Sequence, residues 1–199
     1  EISCSLVGSE MCIRDRWKFL LETARKCQSV CDPAKAAGNF QMLYSAAMNN
    51  RMSPSEVNPK DIKGISRKDF LFMSDEYRRM KERTGYIDFD DMLVKAYELM
   101  TGNLQVLRQL RERWDYIQVD EYQDVNYLQR DLVYLLAGEK KNLCVAGDDD
   151  QSIYRFRGAR PEIMLNFPKD FPQAHVFCIS TNYLSLIHIS EPTRLQLIS

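Results

Sequence analysis

A chain of 199 residues with 45% hydrophobic and 28% charged content has room for one to two domains and can bury a core. Its formal charge of −1 supplies no overall basic field, so any contact with a nucleic acid must be local. No apolar run is long enough to span a bilayer, and the six cysteines, with no zinc-like pairing of their spacings, read as reduced structural thiols suited to a reducing cytoplasm.

The two ends are read apart from the rest. Leu6–Arg16, LVGSEMCIRDR, can be coded by a DNA whose reverse complement translates as LSLIHISEPT followed by arginine or serine, and the chain reads LSLIHISEPTR at Leu184–Arg194. The two peptides resemble a transposon-type sequencing adapter translated from opposite strands. Residues 1–16 and 184–199 are therefore set aside from fold reasoning, as a tag would be. His188, Cys4 and Cys12 then carry no functional weight.

From Trp17 to about Thr84 the pattern is helical. Leu20, Leu21, Ala24, Cys27 and Cys31 form one stripe, and a second helix is expected from Pro33 to Asn49, broken by Ser53-Pro54. Ser66 with Asp69 reads as a capping box. Phe70, Met73, Tyr77 and Met80 then face one way until Gly85 ends the helix, and Arg78, Arg79, Lys81 and Arg83 crowd its final turns. Those cations suit either phosphate contacts or a solvated helix C-terminus.

Asp88 is expected to cap the next helix, with Phe89, Met92, Leu93, Ala96, Tyr97 and Met100 turned inward. Asp90 and Asp91 fall in its first turn, where the helix dipole favours anions over any need for a metal. Gly102-Asn103 reads as a turn, and Leu104 to Arg113 as a further helix. A short apolar run, Tyr116, Ile117, Val119, then stops at Asp120 and Glu121. Helical spacing follows through Val125, Leu128, Leu132, Leu135 and Leu136, and a second strand, Leu143 to Ala146, ends in Gly147 and three aspartates. Pro161 to Phe167 suits a short helix and His175 to Ile179 a third strand. Strand, helix, strand and polar loop predict an α/β fold with a parallel sheet, whose ligands sit beyond the carboxyl ends of the strands.

At these residues the chain resembles a known family. VDEYQD at Val119–Asp124 and GDDDQSIYRFRGA at Gly147–Ala159 are similar to motifs II and III of superfamily 1 DNA helicases of the UvrD, Rep and PcrA type. IDFDDML at Ile87–Leu93 and TNY at Thr181–Tyr183 match two more family blocks in order, and the resemblance covers roughly Trp17 to Tyr183. It implies a partial RecA-like parallel sheet of the P-loop NTPase type over 85–183, and a helical insertion subdomain over 17–84 that helps grip DNA.

The resemblance also implies roles. Hydrolysis of ATP needs Mg²⁺, an oriented water and charge stabilisation at the γ-phosphate. Asp120 is suited to hold Mg²⁺ through its water shell and Glu121 to orient or deprotonate the water. Two acids past a strand can also be merely an exposed acidic loop. Gln151 takes the place of the sensor that links nucleotide state to DNA. Phe156 takes the base-stacking position, a sequence-tolerant contact of about 1–3 kcal/mol. Tyr154 and Arg157 neighbour it as DNA contacts, although Tyr154 equally suits core packing. Tyr183 matches the aromatic that stacks on adenine.

Two departures stand out. No G-x-x-x-x-G-K-[ST] phosphate loop occurs in the sequence. Where the family reads NYRS, this chain reads NYLS, with Leu184 replacing an arginine that stabilises the γ-phosphate. The expected function is that of a fragment of an ATP-dependent DNA helicase of 3′–5′ polarity, acting on single-stranded and duplex DNA without a membrane, and inactive alone. The motor part of a RecB- or AddA-like helicase–nuclease and a non-enzymatic DNA-binding fragment remain alternatives.

Overall fold

The computed structural model describes residues 16–58, 60, 62, 64–152, 159–179 and 195–198. The chain divides into two compact units, Glu1–Lys95 and Ala96–Ser199.

The first unit is helical. Helix α1 covers 16–25, one turn short of the expected stripe: Leu20, Ala24 and Cys27 are buried, but Cys31 is exposed. Helix α2 is Pro33–Asn49, with Asp32 as N-cap accepting from the Ala34 and Lys35 amides at 3.1 Å and Pro33 preset for the first turn. Its buried face, Ala36, Ala37, Phe40, Tyr44 and Ala47, follows helical periodicity. A 3₁₀ turn, Pro54–Glu56, precedes α3, Arg67–Thr84. Ser66 Oγ accepts from Asp69 N at 3.1 Å at its start, and Gly85 ends it at φ 69°, a left-handed conformation that glycine adopts without strain. Phe40, Phe70, Met73 and Tyr77 meet in one core.

The polar side of this unit departs from expectation. Lys81 is buried at 9% exposure rather than solvated, and its ammonium lies between Asp91 (2.7 Å) and Asp88 (3.3 Å). Arg78 and Arg79 are paired along α3 with Asp75, Glu76 and Glu82. Arg16, at the edge of the residues set aside as adapter-like, lies 3.7 Å from Asp90 and over the Tyr77 ring. Helix α4, Phe89–Gly102, starts after Asp88, whose carboxylate accepts from Asp91 N at 2.8 Å. Phe89 and Met92, expected inward, are exposed. Asp90 is buried in the first turn, where its carboxylate accepts from Ser45 Oγ (2.5 Å) and Asn49 Nδ2 (3.1 Å), while Met100 is buried and Leu93, Ala96 and Tyr97 are half-buried as expected.

In the second unit, Asn103 caps α5, Leu104–Arg113, rather than forming a turn with Gly102, which ends α4. Strand β1, Ile117–Val119, leads through a 3₁₀ turn, Tyr122–Asp124, into α6, Tyr127–Ala137. Asn126 and Gln129 form a reciprocal capping box there. Strand β2, Leu143–Gly147, is followed by a 3₁₀ turn, Asp149–Gln151. Helix α7, Pro161–Asp170, runs one turn beyond Phe167 with Pro168 inside it, and β3 is Val176–Ile179. Tyr122, Val145, Met164 and Phe167 centre the core.

Among the described residues, the expectation of a parallel sheet holds for one pair of strands. β1 and β2 are parallel, joined through α6. The sheet order is β1-β2-β4-β3, and β4, Leu195–Ile198, runs antiparallel to both its neighbours. It comes from the tail set aside above. The main chain of LQLI offers a full row of donors and acceptors, and β2 and β3 leave theirs open on either side of it.

Candidate active site

The register Ile117↔Leu143 to Val119↔Val145 brings the carboxyl ends of β1 and β2 to one rim. Beyond β1 come Asp120 and Glu121, both exposed. Glu121 has φ 51° and ψ 41°, a left-handed conformation uncommon for a residue with a Cβ. Its amide donates to Asp120 Oδ1 at 2.9 Å, which helps hold that turn. Beyond β2 comes Asp148, only 2% exposed. Its Oδ1 accepts from Asp150 N (3.1 Å) and its Oδ2 from Gln151 Nε2 (2.8 Å), so a single buried carboxylate holds the 3₁₀ turn and the Gln151 side chain.

Gln123 joins the two loops. It is 1% exposed; its Oε1 accepts from Asp148 N at 2.9 Å and its Nε2 donates to Glu121 Oε2 at 2.5 Å. Gly147 makes room for this amide. A Cβ there would overlap Gln123 Oε1 and come within 3.0 Å of Met164 Sδ and the Tyr122 amide nitrogen. Burial, with Glu121 nearby, raises the Asp124 carboxyl above its ordinary value.

Of the residues singled out in the sequence, Asp120, Glu121 and Gln151 stand at this rim, the last two linked through Gln123 and Asp148. Tyr154, Phe156, Arg157 and Tyr183 lie outside the described residues. The sequence reading gave Gln123, Asp148 and Gly147 no role of their own. All three sit inside the two motifs, and a polar residue placed between a buried strand end and a second acid was the available signal. No cluster of three or more acidic, histidine or cysteine side chains suited to a metal occurs among the described residues. The exposed carboxylate of Asp120 nevertheless fits a magnesium ion, which is commonly held by one or two carboxylates with water and phosphate oxygens completing its shell.

The sequence model of the UvrD/REP helicase N-terminal domain matches residues 10–172. This chain belongs to that family. Among its relatives, YjcD of Bacillus subtilis (strain 168) is 40% identical over 136 residues, covering 68% of this chain and 18% of YjcD. The ATP-dependent DNA helicase PcrA of Staphylococcus aureus (strain Mu50) is 45% identical over 109 residues, 55% of this chain and 15% of PcrA. PcrA of Leuconostoc citreum is 42% identical over 115 residues, 58% of this chain and 15% of that protein. The chain thus spans less than a fifth of the length of these relatives. The family match begins inside the segment set aside as adapter-like, and Arg16 is part of the helical unit. Among the described residues, no helix is long and apolar enough to cross a membrane, and Cys27, Cys31, Cys144 and Cys178 are free thiols.

Proposed function

We propose that this chain is part of the first motor domain of an ATP-dependent DNA helicase, with a RecA-like sheet over 85–183 and an insertion subdomain over 17–84. In that protein ATP hydrolysis drives translocation on single-stranded DNA, with 3′–5′ polarity, and opening of the duplex. The observation that carries the reading is the rim described above. Two adjacent acids end β1, a glutamine follows β2, and a buried hydrogen-bond chain connects them. Family membership supports the ATP and DNA parts.

The division of labour follows from the side chains. Asp120 would hold Mg²⁺, which would supply positive charge against the phosphates. Glu121 accepts a proton from the attacking water. Gln151 offers an amide that donates to phosphate and accepts from water, so its position reports the state of the nucleotide. Tyr183 stacks on adenine, Phe156 on a base, and Tyr154 and Arg157 touch the strand beside it.

Two measurements test this. In the full-length protein, Glu121→Gln keeps the shape of the side chain but not its basicity. It should retain ATP binding and lose about 10²–10⁴-fold in turnover; unchanged steady-state hydrolysis removes Glu121 from the mechanism. The 199-residue chain alone, with no G-x-x-x-x-G-K-[ST] and with Leu184 after Tyr183, should release no phosphate from ATP. Magnesium- and DNA-dependent turnover that co-purifies with it would overturn that expectation.

A further inference from the structure

We propose that Gln123 is a positioning residue that transmits the setting of Gln151 to the Glu121 carboxylate; the proposal rests on the reading of Glu121 as general base. Its amide orientation is fixed by hydrogen-bond logic. The Asp148 main-chain N–H can only donate, so the oxygen of Gln123 faces it, at 2.9 Å. The NH₂ group is thereby left facing Glu121 Oε2, at 2.5 Å. With Gln123 only 1% exposed, water has little access to its amide.

The chain of contacts has a direction. Gln151 is tied to the Asp148 carboxylate at 2.8 Å, and Asp148 is itself 2% exposed, so a displacement of the Gln151 side chain moves Asp148 rather than being lost to solvent. The Asp148 amide then carries Gln123, and Gln123 carries Glu121. The Ser152 hydroxyl donates to the Gln123 carbonyl at 3.4 Å, a second tie between the same two loops. Glu121 is exposed, and a solvated carboxylate otherwise samples several rotamers. One buried donor selects among them, which is how a general base is held on its substrate water.

The test uses the full-length protein with single-stranded DNA. Turnover, KM for ATP and melting temperature are measured for wild type, Glu121→Gln, Gln123→Met and Gln123→Glu. Methionine removes both hydrogen bonds. Glutamate keeps an acceptor for Asp148 N–H but faces Glu121 with an oxygen instead of a donor. Both Gln123 variants should lose about 10- to 100-fold in kcat with KM little changed, beside the lower melting temperature expected of a buried donor left unpaired or a carboxylate buried. Wild-type kcat in Gln123→Glu beside a loss in Gln123→Met would mean that Gln123 only ties the loops, and the proposal fails. A rise in KM at constant kcat, beside the lower melting temperature, also overturns it, as a packing role would produce. Wild-type turnover in Glu121→Gln is a separate result: it withdraws the assignment of Glu121 and takes this inference with it.

Discussion

The Lys81 ammonium lies 2.7 Å from the Asp91 carboxylate, and their side chains are 9% and 20% exposed. Asp88 completes the group at 3.3 Å from Lys81, and the Tyr77 hydroxyl donates to Asp88 at 2.7 Å. Lys81→Met would leave two carboxylates facing each other without their shared cation. Breaking a buried pair costs about 3–5 kcal/mol, and the partial exposure of Asp91 places the expected loss at the lower end. Urea unfolding of the chain measures it. A loss no larger than that of an exposed pair, as for Lys140→Met beside Asp115, would show the cluster to be solvated.

The same unit should lose stability in acid. Hydrogen bonds from Ser29, opposed by burial and reinforced by Ser66, hold the Asp69 carboxyl below its ordinary value. Burial would raise Asp88, but the Tyr77 hydroxyl, Lys81 and the Asp91 amide outweigh it, and its value is also lowered. A carboxyl depressed in the folded state contributes stability that is present above its unfolded value, about 3.9, and is lost as pH falls through the folded one. Lys81 is raised despite its burial, by Asp91 and Asp88; its contribution is present below its unfolded value and lost as pH rises through the folded one. Melting temperature should therefore be flat near neutrality and fall at both extremes. Ser29→Ala should cost more stability at pH 7 than at pH 2.5; equal losses would exclude Asp69 from the acid limb.

Gly147→Ala tests the packing between the two motif loops. The new methyl group meets the Tyr122 amide nitrogen, which is backbone, as well as Gln123 and Met164. Overpacking of this kind costs about 1–3 kcal/mol. The variant should unfold at lower urea, and in the full-length protein its turnover should fall with the displaced Gln123. Wild-type urea stability would mean that the loops have slack.

Phe156→Ala in the full-length protein should uncouple hydrolysis from unwinding while nucleotide binding is kept. Losing a stacked base forfeits about 1–3 kcal/mol. Phosphate contacts elsewhere should leave the salt dependence of DNA binding with a similar slope. Melting temperature, ATP affinity and unwinding rate on one preparation decide the matter. Normal melting with wild-type unwinding removes Phe156 from the DNA site, and a joint loss of folding, nucleotide and DNA binding makes it a core residue.

What could be read from the sequence was what local chemistry dictates. Pro33 starts α2 and Gly85 stops α3 because such signals act within one turn, and the strand before Asp120 ends where the carboxylates begin. What could not be read depends on partners distant along the chain. Asp90 is drawn inward by Ser45 and Asn49, more than forty residues away, and the first turn of α4 leaves Phe89 and Met92 exposed. Lys81 looked like one of a row of solvated cations because Asp88 and Asp91 lie on the next helix start. The carboxylates at the rim were legible from residue type alone. The Gln123 bridge was not, because its burial exists only once β2 lies beside β1.

The left-handed backbone at Glu121 bears on the stability of the turn that carries it. A residue with a Cβ held there stores about 1–3 kcal/mol, which asparagine, at ease in that region and well suited to begin a turn, would largely release. Glu121→Asn should therefore give a hardier protein and a poorer catalyst. On the proposed role of Glu121 as general base, endurance and reactivity would then pull in opposite directions at a single residue.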